Sequence, residues 1–475
     1  MLLVLFVPLV QSNLHVVSGE KTLRGIFHST RTDTVFTWPG WFAGSYQTNT
    51  ADYLNDNFGF RNSLVRFNNE LDFLLFHKAN VFDLAVGKNN FMYQLEYIDA
   101  YNGVNFTSRR EVEQNVAELK QLQDELKKIG KSLLFVMAPS KARLYPEYLP
   151  EDRVTGPTPD CFYVAYIESM KKKGINLIDL NEWYAQKKLT SAYLLYPQYG
   201  VHYSRYEAVL AADTIVKRFS ALSGKQLPAI RINQLVEKDT LEPPDDDAIV
   251  SMNLMYWPPH KKMAYPRYDI INADKATEDL LVIADSYWRD IYVRGIPAQM
   301  FRNNEYWYYF GDVEGTNHFQ TCGTDKIDIK RHLLQYDDIL IMCTESKLGN
   351  FSFGFVKRAL EELKKEIVPT RDEINQYLQV ITRNNDWFQS VRKKAEGMKI
   401  PVDSALRLDA AFMVRTQGPL TEDPGVEDAM QLIRNRPEWF QQIKDKASQR
   451  KISVDSMLRL DAIYVLEERK KSRGY

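Results

Sequence analysis

Ser286 and His202 are the residues whose types and settings point most directly to chemistry. The run Leu280-Leu281-Val282-Ile283-Ala284-Asp285-Ser286 reads as an apolar strand, and Tyr287-Trp288-Arg289 continue it as the start of a helix. A serine placed there stands at a strand's carboxyl end and a helix's N-terminus, where backbone N–H groups stabilise an oxyanion while the hydroxyl attacks. Asp285 beside it is a candidate for the same site. Aspartate and serine are also good helix N-caps, so this motif alone does not separate catalysis from capping. His202 lies in Tyr199-Gly200-Val201-His202-Tyr203-Ser204, two residues before a helix start marked by the capping-box spacing of Ser204 and Glu207. The positive end of that helix favours the neutral imidazole that a general base requires. A serine and a histidine on separate strand-end loops of one sheet are the minimum for a Ser–His hydrolase or acyltransferase.

Lesser candidates follow other strands. Lys141 and Tyr145, in Ala138-Pro139-Ser140-Lys141-Ala142-Arg143-Leu144-Tyr145, are candidates for the substrate-binding rim of the site, a structural turn being the alternative. Gly87, after a short apolar strand, offers a second oxyanion N–H or merely a turn. Tyr203, next to His202, joins the substrate-binding candidates. No Gly-rich phosphate loop is present, and the seven histidines show no metal-ligand spacing, so no metal or diffusible cofactor is expected.

The elements that must position these residues are legible as alternating strands and helices. Helical spacing runs over Thr107–Ile129, from the pair Ser108/Glu111 to a terminal Gly130, and the apolar run Ser132–Ala138 follows. A helix over Cys161–Lys173, a strand over Ile175–Leu180 and a helix from Ser204 to about Leu222 come next. Strands Leu280–Asp285 and Asp338–Thr344 and a helix near Phe355–Glu366 complete the set. Continuous apolar strands between amphipathic helices indicate an α/β fold, a parallel sheet covered on both faces, with its site at the strands' carboxyl ends. Residues 225–279, rich in Pro and Asp, read as an insertion or long loop. Its acidic run Glu242-Pro243-Pro244-Asp245-Asp246-Asp247 lacks the ligand alternation of a calcium loop and reads as a solvated turn.

After Pro369 the chain becomes helical and repetitive. Trp387–Phe412 and the stretch 52 residues on share 15 identities in 26 positions, among them Leu406-Arg407-Leu408-Asp409-Ala410 against Leu458-Arg459-Leu460-Asp461-Ala462. Thr370/Glu373 marks the entrance and Pro424 the start of the second unit. Core packing is the favoured role for the repeated Trp-Phe pair. The division expected is an apolar export or anchor segment 1–20, an α/β domain 21–368 and an all-α duplicated domain 369–475, docking on the body or on a protein partner. Ten uncharged residues, Met1–Val10, are too few to span a bilayer but fit the apolar part of an export signal; a buried strand is the alternative. With 61 Lys+Arg against 62 Asp+Glu, nucleic acid is not an expected partner, and three cysteines exclude a disulfide-stapled fold.

In combination the motifs resemble the AlgX/AlgJ-type SGNH hydrolase-like family. They are Asn57-Phe58-Gly59-Phe60-Arg61, Val86-Gly87-Lys88, Ala138-Pro139-Ser140-Lys141 with Tyr145-Pro146-Glu147, Val201-His202-Tyr203-Ser204 and Ala284-Asp285-Ser286, in that order over about Phe58–Leu363. The resemblance implies an SGNH-like sheet and an extracytoplasmic, periplasmic protein that transfers acetyl groups to an exported polysaccharide. It also implies Ser286 as nucleophile and His202 as base, with an acetyl donor or acyl-carrying membrane partner. The family has an aspartate two positions before the histidine; here that position is Gly200. Three alternatives follow: another carboxylate such as Asp179 substitutes, a Ser–His dyad works alone, or the domain is an inactive glycan-binding scaffold. A carbohydrate esterase, with water as acceptor, is the neighbouring enzymatic alternative.

Overall fold

The computed structural model describes residues 2–25, 35–315, 322–418, 420, 425–434 and 436–450, with single residues between 454 and 465. Pro424 falls outside them. The central sheet comprises β1 (Ser132–Met137), β2 (Leu177–Asp179), β3 (Asp279–Ala284), β4 (Asn303–Tyr308), β5 (Asp312–Gly315), β6 (Cys322–Gly323) and β7 (Asp338–Cys343), in the order β6-β5-β4-β3-β7-β1-β2. From β4 to β2 every pairing is parallel, with Leu340 opposite both Leu134 and Val282. The pairings β4–β5 and β5–β6 are antiparallel, so the sheet is mixed rather than all parallel. The chain reverses at once after β4, through Tyr309 and Phe310 with φ +51° and +53°, leaving no length for a helical crossover.

Side chains alternate faces along each strand, and both faces are dry. Leu134, Val136, Val282, Leu340 and Met342 pack with Val209, Ile215 and Phe219 of α3 (Arg205–Ser223). On the opposite face Leu133, Phe135, Ile283 and Ile341 pack under α1 (Arg109–Lys128), α2 (Phe162–Lys173) and α6 (Phe355–Leu363). Burial on both faces makes these strands read as unbroken apolar runs. Ser108 caps α1 by accepting the Glu111 N–H, and Gly130 takes φ +75° beyond its end. Ser204 likewise accepts the Glu207 N–H at the start of α3.

Residues 225–279 form an ordered arm. Ala229–Lys238 and Met263–Ile271 pair as an antiparallel hairpin, and between them lies the short helix α4 (Asp247–Ser251). Ile249 and Met252 bury against Tyr199 and Phe73 in a third apolar cluster, which clamps α4 to the loop bearing His202. The acidic run is therefore not a solvated turn. Glu242 pairs with Arg205 and Lys238, and Asp245 is wholly buried, its carboxyl pushed up to about 7 by that burial.

Leu2–Leu14 is helical rather than a strand, and among the described residues no helix is long and apolar enough to cross a membrane. Beyond residue 369, Arg371–Arg383, Asn385–Met398, Val402–Gln417, Gly425–Arg434 and Pro437–Arg450 are helices. Thr370 and Glu373 form the full capping box. Lys394 bonds Asp409 at 2.7 Å, and Lys446 and Asp461, each 52 residues further on, bond at 2.8 Å. Arg331 of the body donates to the Val368 carbonyl at the entrance to these helices.

Candidate active site

α5 (Ser286–Val293) begins directly after β3, with Asp285 as its N-cap. The Asp285 carboxylate accepts the Tyr287 N–H at 3.1 Å and the Thr344 N–H at 2.8 Å, tying the start of α5 to the end of β7. Asp285 is 1% exposed, so it holds Ser286 in place rather than facing a substrate. Tyr309 brings its hydroxyl to Ser286 from the turn after β4.

His202 reaches the serine from the loop ahead of α3. Its Nε2 lies 2.9 Å from Ser286 Oγ, and its Nδ1 lies 2.7 Å from Asp247 Oδ2. The carboxylate accepts at Nδ1, so that nitrogen carries the proton and Nε2 is left to accept the serine hydroxyl. The other Asp247 oxygen accepts the Val201 N–H at 2.8 Å, and the Tyr199 carbonyl accepts the Ala248 and Ile249 N–H groups of α4 at 3.0 and 3.2 Å. The histidine loop and α4 thus fix one another through four bonds. Burial lowers the His202 pKa, but the hydrogen bond and charge of Asp247, with Asp290 and Asp285 behind it, outweigh burial and leave it above the ordinary value of 6.5.

The structure brings Ser286 and His202 together with Asp285 behind the serine, and places Asp179, Lys141, Tyr145, Tyr203 and Gly87 away from the cleft. Asp179 ends β2, three strands from β3, roughly 14 Å at ~4.8 Å per strand. It caps the helix Leu180–Lys188 and accepts the Tyr163 hydroxyl at 2.8 Å, so it is not the missing carboxylate. Lys141, Tyr145 and Tyr203 are 2%, 4% and 0% exposed and do not form a rim. Tyr145 accepts the Leu195 N–H through its hydroxyl, and the Tyr203 hydroxyl donates to the Tyr287 carbonyl. Gly87 spends its N–H on the Phe91 carbonyl at 2.7 Å, so it offers no oxyanion donor.

Asp247 escaped the sequence reading because it belongs to the acidic, proline-rich run. Gly200 explains why the carboxylate is not two residues before His202. A Cβ at position 200 would stand 2.5 Å from Pro197 Cγ and 3.0 Å from the Pro244 and Asp245 carbonyl oxygens. The arm's backbone fills the space a side chain would need, and the same arm supplies Asp247.

Ser286 and His202 open onto a cleft of about 680 Å³, lined also by Tyr265 and Tyr268 of the arm and by Arg205 and Arg289. Arg205 is paired with Glu242, and Arg289 with Glu314 at 3.3 Å. Among the described residues no group of His, Cys, Asp or Glu is arranged to hold a metal.

A parallel core covered on both faces, with serine and histidine meeting at the strands' carboxyl ends, defines an α/β domain of the SGNH hydrolase-like class. Residues 84–274 match the family described as SGNH hydrolase-like domain, acetyltransferase AlgX, a span that includes His202 and Asp247 and stops before Ser286. The probable alginate O-acetylase AlgJ of Pseudomonas aeruginosa is 28% identical over 152 residues, 32% of this chain and 35% of that protein. The chain thus spans about a third of the length of that curated relative. Among solved structures, the O-acetyltransferase domain of Pseudomonas putida AlgJ is 14% identical, covering 58% of this chain and 98% of that one, with a TM-score of 0.37. Bacillus cereus PatB1 is likewise 14% identical, over 52% and 94%, with a TM-score of 0.35. The family match and the curated relative make residues 84–274 similar to SGNH hydrolase-like domains of the AlgX/AlgJ type.

Proposed function

We propose that this chain is an O-acyltransferase that moves an acyl group, acetyl by its resemblance to the AlgX/AlgJ family, onto a hydroxyl of an exported polysaccharide outside the cytoplasm. The observation that carries this reading is the Ser286–His202–Asp247 array beside an open cleft. Ser286 Oγ attacks the donor's acyl carbonyl as its proton passes to His202 Nε2. The leaving group takes that proton and departs, giving the acyl-serine. A sugar hydroxyl then gives its proton to His202, attacks the same carbonyl, and Ser286 is regenerated. Asp247 holds the imidazole orientation and stabilises the imidazolium at each step. The Tyr287 N–H is taken by Asp285, which leaves the Ser286 N–H at the start of α5 as the candidate oxyanion donor. The reading as an inactive scaffold drew its support from the absence of a carboxylate at position 200, and Asp247 removes that support.

Intact mass after incubation with an activated acetyl ester tests the reading, with Ser286→Ala as control. A +42 Da adduct only in the wild type is expected, and its discharge by an oligosaccharide faster than by water separates transfer from hydrolysis. A folded wild type with neither adduct nor ester turnover would overturn the proposal.

His202 must be neutral to accept a proton, and its pKa lies above 6.5. The acid limb of kcat/KM is therefore expected above pH 6.5, with activity growing as pH rises through that pKa. The corresponding sign for stability is opposite: the raised value favours the folded protein below the unfolded pKa, and this contribution is lost as pH rises through the folded one. A pH–rate profile whose acid limb falls below pH 6.5 would contradict the assignment.

A further inference from the structure

Lys141 is a side chain that the reaction above does not use, and its setting is unusual. A lysine is almost never fully buried unless its charge is matched. Lys141 is 2% exposed and has no carboxylate partner within ion-pair distance among the described residues. Instead its Nζ donates toward four backbone carbonyls: Met92 at 2.7 Å, Pro197 at 2.7 Å, Gln198 at 3.1 Å and Gly200 at 2.8 Å. The rings of Phe91 and Tyr93 lie 5.4 and 5.2 Å from the nitrogen. Burial lowers its pKa to about 7, opposed by the charge of Asp247. Four oxygens converging on one nitrogen match the ammonium, which is donor-only, and not the neutral amine, whose lone pair would face one of them.

Three of those carbonyls belong to the four residues Pro197–Gly200. In that stretch the Tyr199 carbonyl turns the other way, to the N-terminus of α4, and the next N–H, Val201, goes to Asp247. The backbone groups of the loop are thus divided between Lys141 on one side and the arm on the other. Lys141 itself stands four residues beyond β1, at the start of the short helix Lys141–Leu144.

We propose that Lys141 is a positioning residue: its ammonium gathers the Pro197, Gln198 and Gly200 carbonyls and so holds the loop that presents His202 to both Ser286 and Asp247. The inference rests on the acyl-serine reading, because it concerns the geometry of that same array. Without the charge, parallel carbonyl dipoles aimed at one point repel, and the loop must turn them elsewhere, carrying His202 with it.

The test is Lys141→Met, which keeps length and volume and removes the charge, beside Lys141→Gln, which retains two donors. A core variant, Leu119→Ala, serves as a control of lowered thermal stability. With the activated acetyl ester, Lys141→Met is expected to lower kcat about thirtyfold, the scale of a sub-ångström misplacement of a reacting group. KM is expected to stay within about twofold, because the cleft is untouched. Lys141→Gln is expected to fall between Met and wild type, and Leu119→Ala to keep wild-type kcat. The Nδ1 proton of His202, bonded to Asp247 at 2.7 Å, is expected at low field in the wild-type NMR spectrum, to weaken or vanish in Lys141→Met, and to persist in Leu119→Ala.

Wild-type kcat with an unaltered Nδ1 signal in a folded Lys141→Met would overturn the proposal. Equal losses of kcat in Lys141→Met and Leu119→Ala would overturn it too, by showing a general effect of lowered stability. If Lys141→Met does not fold, Lys141→Gln decides by the same two readouts. An inactive wild type would count against the acyltransferase reading instead, and the Nδ1 signal would still report the loop.

Discussion

Asp247→Asn is expected to lower turnover of an activated acetyl ester by ~10⁴ while leaving the fold intact, the cost of the wrong tautomer in a Ser–His–Asp array. Asp247 Oδ2 accepts from His202 Nδ1 at 2.7 Å. An asparagine oriented with its amide nitrogen toward His202 donates there instead, which moves the imidazole proton to Nε2, against the serine hydroxyl. The alternative orientation keeps the tautomer but loses the negative charge that stabilises the imidazolium. Because Asp247 raises the His202 pKa, the residual activity is expected to have its acid limb at lower pH than the wild type. Steady-state kinetics with a melting curve check this. A loss of less than tenfold would show that Ser286 and His202 work as a dyad and that Asp247 has only a structural part.

Gly200→Asp provides the second large effect, and its direction runs against intuition from the family pattern. Restoring aspartate at the position where relatives are expected to carry it does not restore a relative's site, because the volume is taken. The new Cβ would meet Pro197 Cγ at 2.5 Å and two carbonyl oxygens of the arm at 3.0 Å. Backbone carbonyls held in the core of the arm do not yield as a flexible side chain does. The arm is expected to lift, moving Asp247 off His202, with activity falling roughly 10³-fold and stability by about 1–3 kcal/mol for overpacking. Gly200→Ala separates size from charge and is expected to share the direction of both losses. If Gly200→Asp instead rescued Asp247→Asn, position 200 would be a working alternative seat for the carboxylate, and the steric account would be wrong.

What the sequence disclosed about the site follows the range of each interaction. Ser286 was visible because a strand buried on both faces leaves an unbroken apolar run, and the run stops at Ala284-Asp285-Ser286. His202 was visible because helix capping is local: Ser204 and Glu207 mark the start of α3 within four residues. Asp247 was hidden for the complementary reason. It is held by groups 45 and 46 residues away, through bonds that leave no local periodicity, inside a stretch whose composition suits open solvent. Lys141 misled in the same way, since a lysine after a strand is ordinarily a surface residue and its carbonyl partners lie 49 to 59 residues off. The antiparallel edge escaped as well. Asn303–Tyr308 carries a crowded aromatic run with no clean alternation, and only its pairing with β5 and β3 makes it a strand.

The arm gives this chain a property that a carboxylate on the histidine's own loop would not. Hydroxyl and imidazole come with the sheet and its loop, but the acid comes from a separate arm, 45 residues beyond the histidine. The array therefore behaves as a lock needing two keys: a protein with its sheet complete and its arm displaced would hold an ordinary, unreactive serine. Any grip on the arm, from a polymer lying across Tyr265 and Tyr268 or from a neighbouring protein, would act on reactivity without touching the nucleophile.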